Sequence, residues 1–443
     1  MGRYKERKKI ICAFLAALIT AWMHAGCDML HTGDTMPSNT EYATAPSYSE
    51  TTPPPSEPDT EVTVSSMSAE ESVSILLSEI CSDLTGEAID PVSRSDDAAF
   101  VANGSVSVNE SIDSFISSSY YESLGLSDED FVRKCYLAFT GNTAGEYTVR
   151  FLLGMLTDGQ TRTDIADLLM QDGYFSERCS IYGVLPVFTT SGIDEITDWY
   201  DIVNNIGDTT EMLTIGRTIP LESDLALLYT AMDELTEANR DFGFMLLDMN
   251  SGEGLVYNID QIFYTASAIK GPFAASFACN DPDGAMNWES TILNMLINSD
   301  NDAYTALNNT YRRVYIQSWC EEIGIDPEPF RYKYPHISTR QLTALWVRSY
   351  QFFETDEFGA TAGAWFEEPV YSLIHSELGD LYITRSKAGW LVDEDPSHTT
   401  TVDGGIVYAT NGPYVVVIMS KVPRDIEPLR PLMRALESYH CSL

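Results

Sequence analysis

Two β-rich runs, residues 242–248 and 254–259, stand far from three more, residues 381–387, 401–409 and 414–421, and the stretch between the groups is patterned as helix. That order constrains the fold more than any other feature. The first two runs flank Asn250-Ser-Gly-Glu253, a hairpin signature, so a sheet is begun, left by the chain and completed on its return. An amphipathic helix over Leu225–Glu234 precedes the hairpin, a small-residue helix over Ser267–Cys279 follows it, and Pro428–His440 closes the chain with another. The fold class is α+β: an antiparallel sheet flanked by helices with an inserted helical domain, and a cleft between the two.

Three short strings occur in order along this half: Ser267-Ala-Ile-Lys270, Ser299-Asp300-Asn301 and Lys387-Ala388-Gly389. Each alone is weak, but lysine is scarce. Beyond the basic leader only Lys134, Lys270, Lys333, Lys387 and Lys421 occur, and no other S-x-x-K or K-x-G exists. Helical spacing lets Ser267 and Lys270 touch if Ser267 opens a helix. A serine hydroxyl is a poor nucleophile until a base takes its proton, and a desolvated lysine of lowered pKa can do so. The helix N-terminus adds a favourable field and a free N–H for an oxyanion. Ser299, on a loop, can pass a proton to a leaving nitrogen. Asn301 has both donor and acceptor to orient Lys270 and an amide substrate. Lys387, at a strand end, offers a fixed positive charge to a substrate carboxylate.

These strings resemble those of the class A β-lactamase and penicillin-binding-protein superfamily. The resemblance runs from about residue 221 to 443 and includes Tyr264-Thr-Ala-Ser267-Ala-Ile-Lys270, Ile297-Asn-Ser299-Asp300-Asn301-Asp-Ala303, Ser338-Thr339 opening a helix, Lys387-Ala388-Gly389-Trp390 and Val402-Asp403-Gly404-Gly405-Ile406-Val407. It implies Ser267 as the acylated nucleophile, Lys270 as its base, Ser299 as the proton shuttle, and Asn301, Lys387 and Gly389 as substrate-binding residues. The backbone N–H groups of Ser267 and Trp390 would form the oxyanion hole. Three departures stand out. Ala388 replaces a hydroxyl residue that holds the substrate carboxylate, the short gap between Ser267 and Ser299 implies a trimmed helical domain, and no E-x-x-L-N string lies between Asn301 and Ser338. That string carries the deacylating Glu of class A enzymes. Glu328, in Asp326-Pro-Glu-Pro329, is the nearest substitute in order.

The chain of 443 residues has 66 Asp+Glu against 26 Lys+Arg. Such acidity repels phosphate backbones and argues against a nucleic-acid partner. The few histidines are dispersed and no C-x-x-C occurs, so no metal site or cofactor is expected. Basic residues Arg3, Lys5, Arg7, Lys8 and Lys9 precede an apolar run from Ile10 to Met23 and then His24-Ala-Gly-Cys27. The run is short for a bilayer span and fits a secretory signal. Ala-Gly-Cys27 resembles a bacterial lipoprotein box, with His24 where that family prefers an aliphatic residue. Residues 1–27 are expected to be a leader, Cys27 the lipidated residue, and the protein exported and anchored to the outer face of the cytoplasmic membrane.

Residues 28–66, rich in Ser, Thr and Pro, read as a disordered linker. Residues 67–127 read as mostly irregular with one short helix over 69–82. From 128 to 180 the apolar spacing is helical, with Thr163-Asp164 as a helix cap. That stretch resembles a small helical domain recurring in bacterial surface proteins, a separate all-α unit. Cys135 and Cys179 could pair within it. Residues 181–220 read as a connector, and 221–443 as the catalytic domain. The expected function is serine acyl transfer on a β-lactam or a D-alanyl-D-alanine-type stem peptide. The rivals are a wall-binding protein using the same cleft without turnover and a structural surface protein.

Overall fold

The computed structural model describes residues 67–186, 199–207, 209–216 and 218–443. The expected leader, Cys27 and the 28–66 linker lie outside them. The first part is a helical bundle: α1 (Ala69–Thr85), α2 (Ser95–Ala102), α3 (Val108–Ile116), α4 (Asp128–Thr140), α5 (Glu146–Thr157), α6 (Arg162–Met170) and α7 (Gly173–Ile181). The helix expected over 69–82 is present as α1, and the reading of the rest of 67–127 as irregular is corrected. The Ser and acidic residues there are helix caps. Ser68 accepts from the Glu71 N–H while Glu71 reaches back to the Ser68 N–H, and Ser107 with Glu110 repeats the arrangement. Leu76, Leu77, Ile80 and Leu84 of α1 and Ile112 of α3 share one core with Phe131, Cys135 and Phe139 of α4, so residues 128–180 are the second part of a unit that starts at Ala69. Thr161, two residues earlier than expected, caps α6 together with Asp164. Cys135 and Cys179 remain separate buried thiols.

The segment expected to be a plain connector holds a helix over Trp199–Asn205 and strand β1 (Leu213–Ile215). After it come α8 (Glu222–Glu237) and the hairpin of β2 (Phe242–Asp248) and β3 (Gly254–Tyr257). The bundle is fastened to α8. The Glu222 carboxylate accepts from Tyr147 N, Thr148 N and Thr148 Oγ1 at 3.1, 2.8 and 2.7 Å, covering the positive end of α5. Arg150 forks onto Asp233 at 2.7 and 2.6 Å and lies 4.0 Å over the Tyr229 ring.

Strands β4 (Ile262–Tyr264) and β5 (His336–Ser338) form a separate two-stranded sheet. The main sheet takes β6 (Ile383–Ser386), β7 (Gly389–Leu391), β8 (Thr400–Tyr408) and β9 (Pro413–Ser420) in the order β1-β3-β2-β9-β8-β6, with β7 also on β8. Each of the five expected strands is present. β6 and β7 are two parts of one edge strand: Ser386 faces Gly405 and Gly389 faces Val402, so register survives the interruption at Lys387-Ala388. The central strands are buried along nearly their whole length, which explains apolar runs without polar alternation.

Four further helices position the site: α9 (Lys270–Asn280), α10 (Asn301–Tyr311), α11 (Thr339–Thr355) and α12 (Arg430–Ser442). A Cβ on Gly404 would meet Trp346 Nε1 of α11 at 2.5 Å and Val417 at 3.2 Å, so Val417 faces α11. Tyr414, an odd number of residues away on β9, stacks 4.1 Å from His440 of α12. Side chains alternate along a strand, so α11 and α12 cover opposite faces of the sheet. Ser338 caps α11 with Gln341 in a reciprocal box, as its sequence position predicts.

Candidate active site

Ser267 lies in a single 3-10 turn, Ala266–Ile269, that runs directly into α9 and brings Lys270 to the head of that helix. The turn is tight enough to place Ala266 at φ 43°, a left-handed conformation that costs a non-glycine residue about 1–3 kcal/mol. Ser299, on the loop before α10, is likewise left-handed at φ 56°. Asp300 fixes that loop by capping α10, accepting from Ala303 N at 2.6 Å.

Lys270 is fully buried. Its Nζ donates to the Ser299 carbonyl at 2.7 Å and to Asn301 Oδ1 at 2.8 Å, with Ser299 Oγ at 3.5 Å. Burial, followed by the positive charges of Lys387 and Lys333, pushes it down to about 7. Lys387 is also buried and donates to Ser299 Oγ at 3.1 Å and to the Ala388 carbonyl at 2.9 Å. Burial lowers it to about 8, against the opposing pull of Asp403. Ser299, Lys270, Asn301 and Lys387 thus meet at one point. Ser267, only half-buried, makes no hydrogen bond to Lys270 among the described residues. The expected contact between them is absent in this conformation because the ammonium turns to two better acceptors.

The edge strand closes the other side. A Cβ on Gly389 would lie 2.4 Å from Ser267 N, 2.3 Å from Ala268 N and 2.5 Å from Thr265 O, so only glycine lets β7 approach this turn. Lys387 N donates to Gly404 O across the sheet at 3.0 Å. N–H directions alternate along a strand, so Trp390 N–H points away from β8, toward the open edge.

Asp403 sits fully buried on β8 and accepts from Ser372 Oγ at 2.7 Å, Ile374 N at 3.1 Å and Gly404 N at 2.9 Å. Burial holds its carboxyl up at about 6, with the Ser372 and Ile374 hydrogen bonds and Lys387 pulling the other way. Ala388, fully buried, brings no hydroxyl. Glu328 is exposed and paired with Arg331, and no described hydrogen bond joins it to Lys270 or Ser267.

Two residues beyond the strings join the site. Tyr334 Oη donates to Asn301 Oδ1 at 3.1 Å, the same oxygen that Lys270 uses. Burial raises the phenol to about 12, so it stays a donor. Lys333 Nζ bonds to Thr305 Oγ1 at 2.6 Å and lies 5.1 Å from the Tyr304 ring, and Lys270 lies 5.6 Å from that same ring. The scarcity of lysine was the one sequence signal that could have drawn attention to Lys333.

No group of three or more His, Cys, Asp or Glu side chains among the described residues is arranged to hold a metal ion.

Residues 227–294 and 279–436 match the model of a family described as the β-lactamase enzyme family. A comparison with curated proteins finds no match. Solved structures similar to this chain include a β-lactamase from Chitinophaga pinensis DSM 2588, at 13% identity over 49% of this chain and 100% of that one, with TM-score 0.41. PBP-A matches at 19% identity over 51% of this chain and 98% of its own, TM-score 0.41. The β-lactamase from Streptomyces albus G matches at 14% identity over 48% and 98%, TM-score 0.38. With the strings, their convergence and the family match in hand, the C-terminal half of the chain belongs to the β-lactamase and penicillin-binding-protein superfamily.

Proposed function

We propose that this chain is a serine acyl-transfer hydrolase that forms an acyl-enzyme on Ser267 with a β-lactam or a D-alanyl-D-alanine-type peptide. The observation that carries the reading is Lys270: buried, oriented by Ser299 and Asn301, and lowered to about 7, it is substantially neutral near physiological pH. This mechanism requires the Lys270 amine to turn from the Ser299 carbonyl to Ser267 Oγ. The hydroxyl oxygen then adds to the substrate carbonyl as its proton passes to Nζ, and the oxyanion takes the N–H groups of Ser267 and Trp390. The C–N bond breaks as Ser299 gives its proton to the leaving nitrogen and is reprotonated from Lys270. Lys387 holds the substrate carboxylate, and Asn301 Nδ2 faces the acyl side while Tyr334 and Lys270 fix its oxygen.

Hydrolysis of the acyl-enzyme needs a base for water, and none of the hydrogen bonds that Lys270 donates goes to a carboxylate among the described residues. Release is therefore slow, closer to a penicillin-binding protein than to a resistance enzyme. We further propose, from the sequence alone, that the protein is exported and lipid-anchored through Cys27. Cys27→Ala should move it from the membrane to a soluble exported fraction.

A second reading, a wall-binding protein without turnover, is favoured by the missing Ser267–Lys270 contact and by Ala388. Labelling with a fluorescent penicillin separates the two. The acyl-transfer reading requires covalent label on the natural chain and none on Ser267→Ala, and equal labelling of both would reject it.

A further inference from the structure

Five lysines lie among the described residues, and only Lys421, paired with Asp241, has a carboxylate within ion-pair distance. Three of the others gather in one cleft. Lys387 and Lys270 share Ser299 Oγ at 3.1 and 3.5 Å, and Lys270 and Lys333 share the Tyr304 ring at 5.6 and 5.1 Å. The three therefore form a row, with Lys333 at the end remote from Lys387. In a chain with 66 acidic and 26 basic residues, a row of lysines without ion pairs does not follow from composition. Asp300, Asp302 and Asp403 act on it only from beyond ion-pair distance.

Lys333 is held for use. Tyr304 Oη donates to its carbonyl at 2.8 Å, and Thr305 Oγ1 accepts from its Nζ at 2.6 Å. An ammonium has three donors, so two remain for a ligand. The Tyr334 ring, 5.2 Å from Nζ, limits where the side chain can swing. The opposing charge is Asp302, an exposed residue of α10, the helix that carries Thr305, and it forms no ion pair with Lys333. Desolvation lowers Lys333 despite Asp302, the behaviour of a cation that lacks its counter-ion.

We propose that Lys333, held in place by Thr305 and Tyr334, is an anion subsite on the acyl side of the cleft, so that the preferred substrate carries a second carboxylate beyond the one met by Lys387. The inference rests on the acyl-transfer reading for which side of the scissile bond faces Lys333. Dianionic substrates gain from both ends of the row, and monoanionic ones from one.

The test uses the full chain carrying Ser267→Ala, so that recognition is read without acylation. Equilibrium binding of benzylpenicillin is compared with that of α-carboxybenzylpenicillin, which adds one carboxylate to the acyl side chain. The second should bind about three- to tenfold more tightly, the range of a partly exposed charge pair with a charge-assisted hydrogen bond. Adding Lys333→Met should bring the ratio to one, and Lys333→Arg, which keeps the charge, should preserve it. Equal affinity for both ligands, binding of neither, or a preference that survives Lys333→Met overturns the subsite. Labelling of the natural chain is run alongside. Label without preference removes the subsite and keeps acyl transfer, whereas preference without label keeps the subsite and removes acyl transfer.

Discussion

Lys270 and Lys387 aim their ammonium groups at one hydroxyl, Ser299 Oγ, from 3.5 and 3.1 Å. Two cations in contact with the same atom cannot both hold their protons as free lysines do, and the two are asked for opposite states. Lys270 must be neutral to act as base, and Lys387 must be charged to hold a carboxylate. Acylation by a penicillin should therefore rise with pH through about 7 and fall above about 8. Stopped-flow acylation rates from pH 5 to 10 check this, and a monotonic rise to pH 10 would contradict it.

The same lowering has a thermodynamic sign. Lys270 titrates near 7 in the folded chain against 10.5 for a free lysine. Between these values the unfolded chain binds the extra proton, so stability rises with pH across that window, and the penalty is fully present below about 7. Lys270→Met removes the effect. The natural chain should gain stability from pH 7 toward 10 relative to this variant, read from urea midpoints, while the variant loses acylation. Parallel pH–stability curves for the two proteins would refute the assignment.

Gly389 is the tightest approach in the site. A methyl group there overlaps Ser267 N, Ala268 N and Thr265 O at 2.3–2.5 Å, all backbone atoms that cannot swing aside. Gly389→Ala should push β7 off the nucleophile turn and misplace the Trp390 donor. A drop in acylation of about 10²–10³-fold is expected, as for loss of one oxyanion donor, with the circular dichroism spectrum retained. Labelling at the natural rate would mean that Trp390 N–H is not used.

After acylation, the adduct should persist. Intact mass after mixing with penicillin should show it for minutes or longer, and Glu328→Gln should leave its lifetime unchanged, because Glu328 is exposed and engaged with Arg331. A lifetime lengthened by that substitution would bring Glu328 into the hydrolytic step.

The parts of the fold legible in the sequence are those whose signals are local. The β2–β3 hairpin announces itself by Asn250-Ser-Gly between apolar runs, and Ser338 by its place before an amphipathic helix. Ser299, Asn301 and Lys387 were legible as strings, and the structure brings them together with Lys270. The helix over 69–82 was legible, whereas those over 95–102 and 108–116 were missed because each is short and set among Ser, Asp and Gly residues. The readable signal was the spacing Ser68–Glu71 and Ser107–Glu110. Tyr334 and Asp403 act through tertiary contacts across the cleft and the sheet, which no local pattern encodes. The orientation of Lys270 toward Ser299 and Asn301 follows from competing acceptors and was likewise beyond the sequence.

Strand β1 has a consequence for anyone dissecting the protein. It hydrogen-bonds along β3, pairing Leu213 with Val256 and Ile215 with Gly254, and so occupies what would otherwise be the free border of the sheet. A fragment cut at Leu221 would leave that border unsatisfied and uncover Tyr229, which is 1% exposed in the intact chain. Bare strand borders beside apolar surface template intermolecular pairing. The hydrolase half is thus shielded from self-association by its own upstream chain, and a soluble catalytic fragment has to carry the residues before the boundary that sequence similarity would draw.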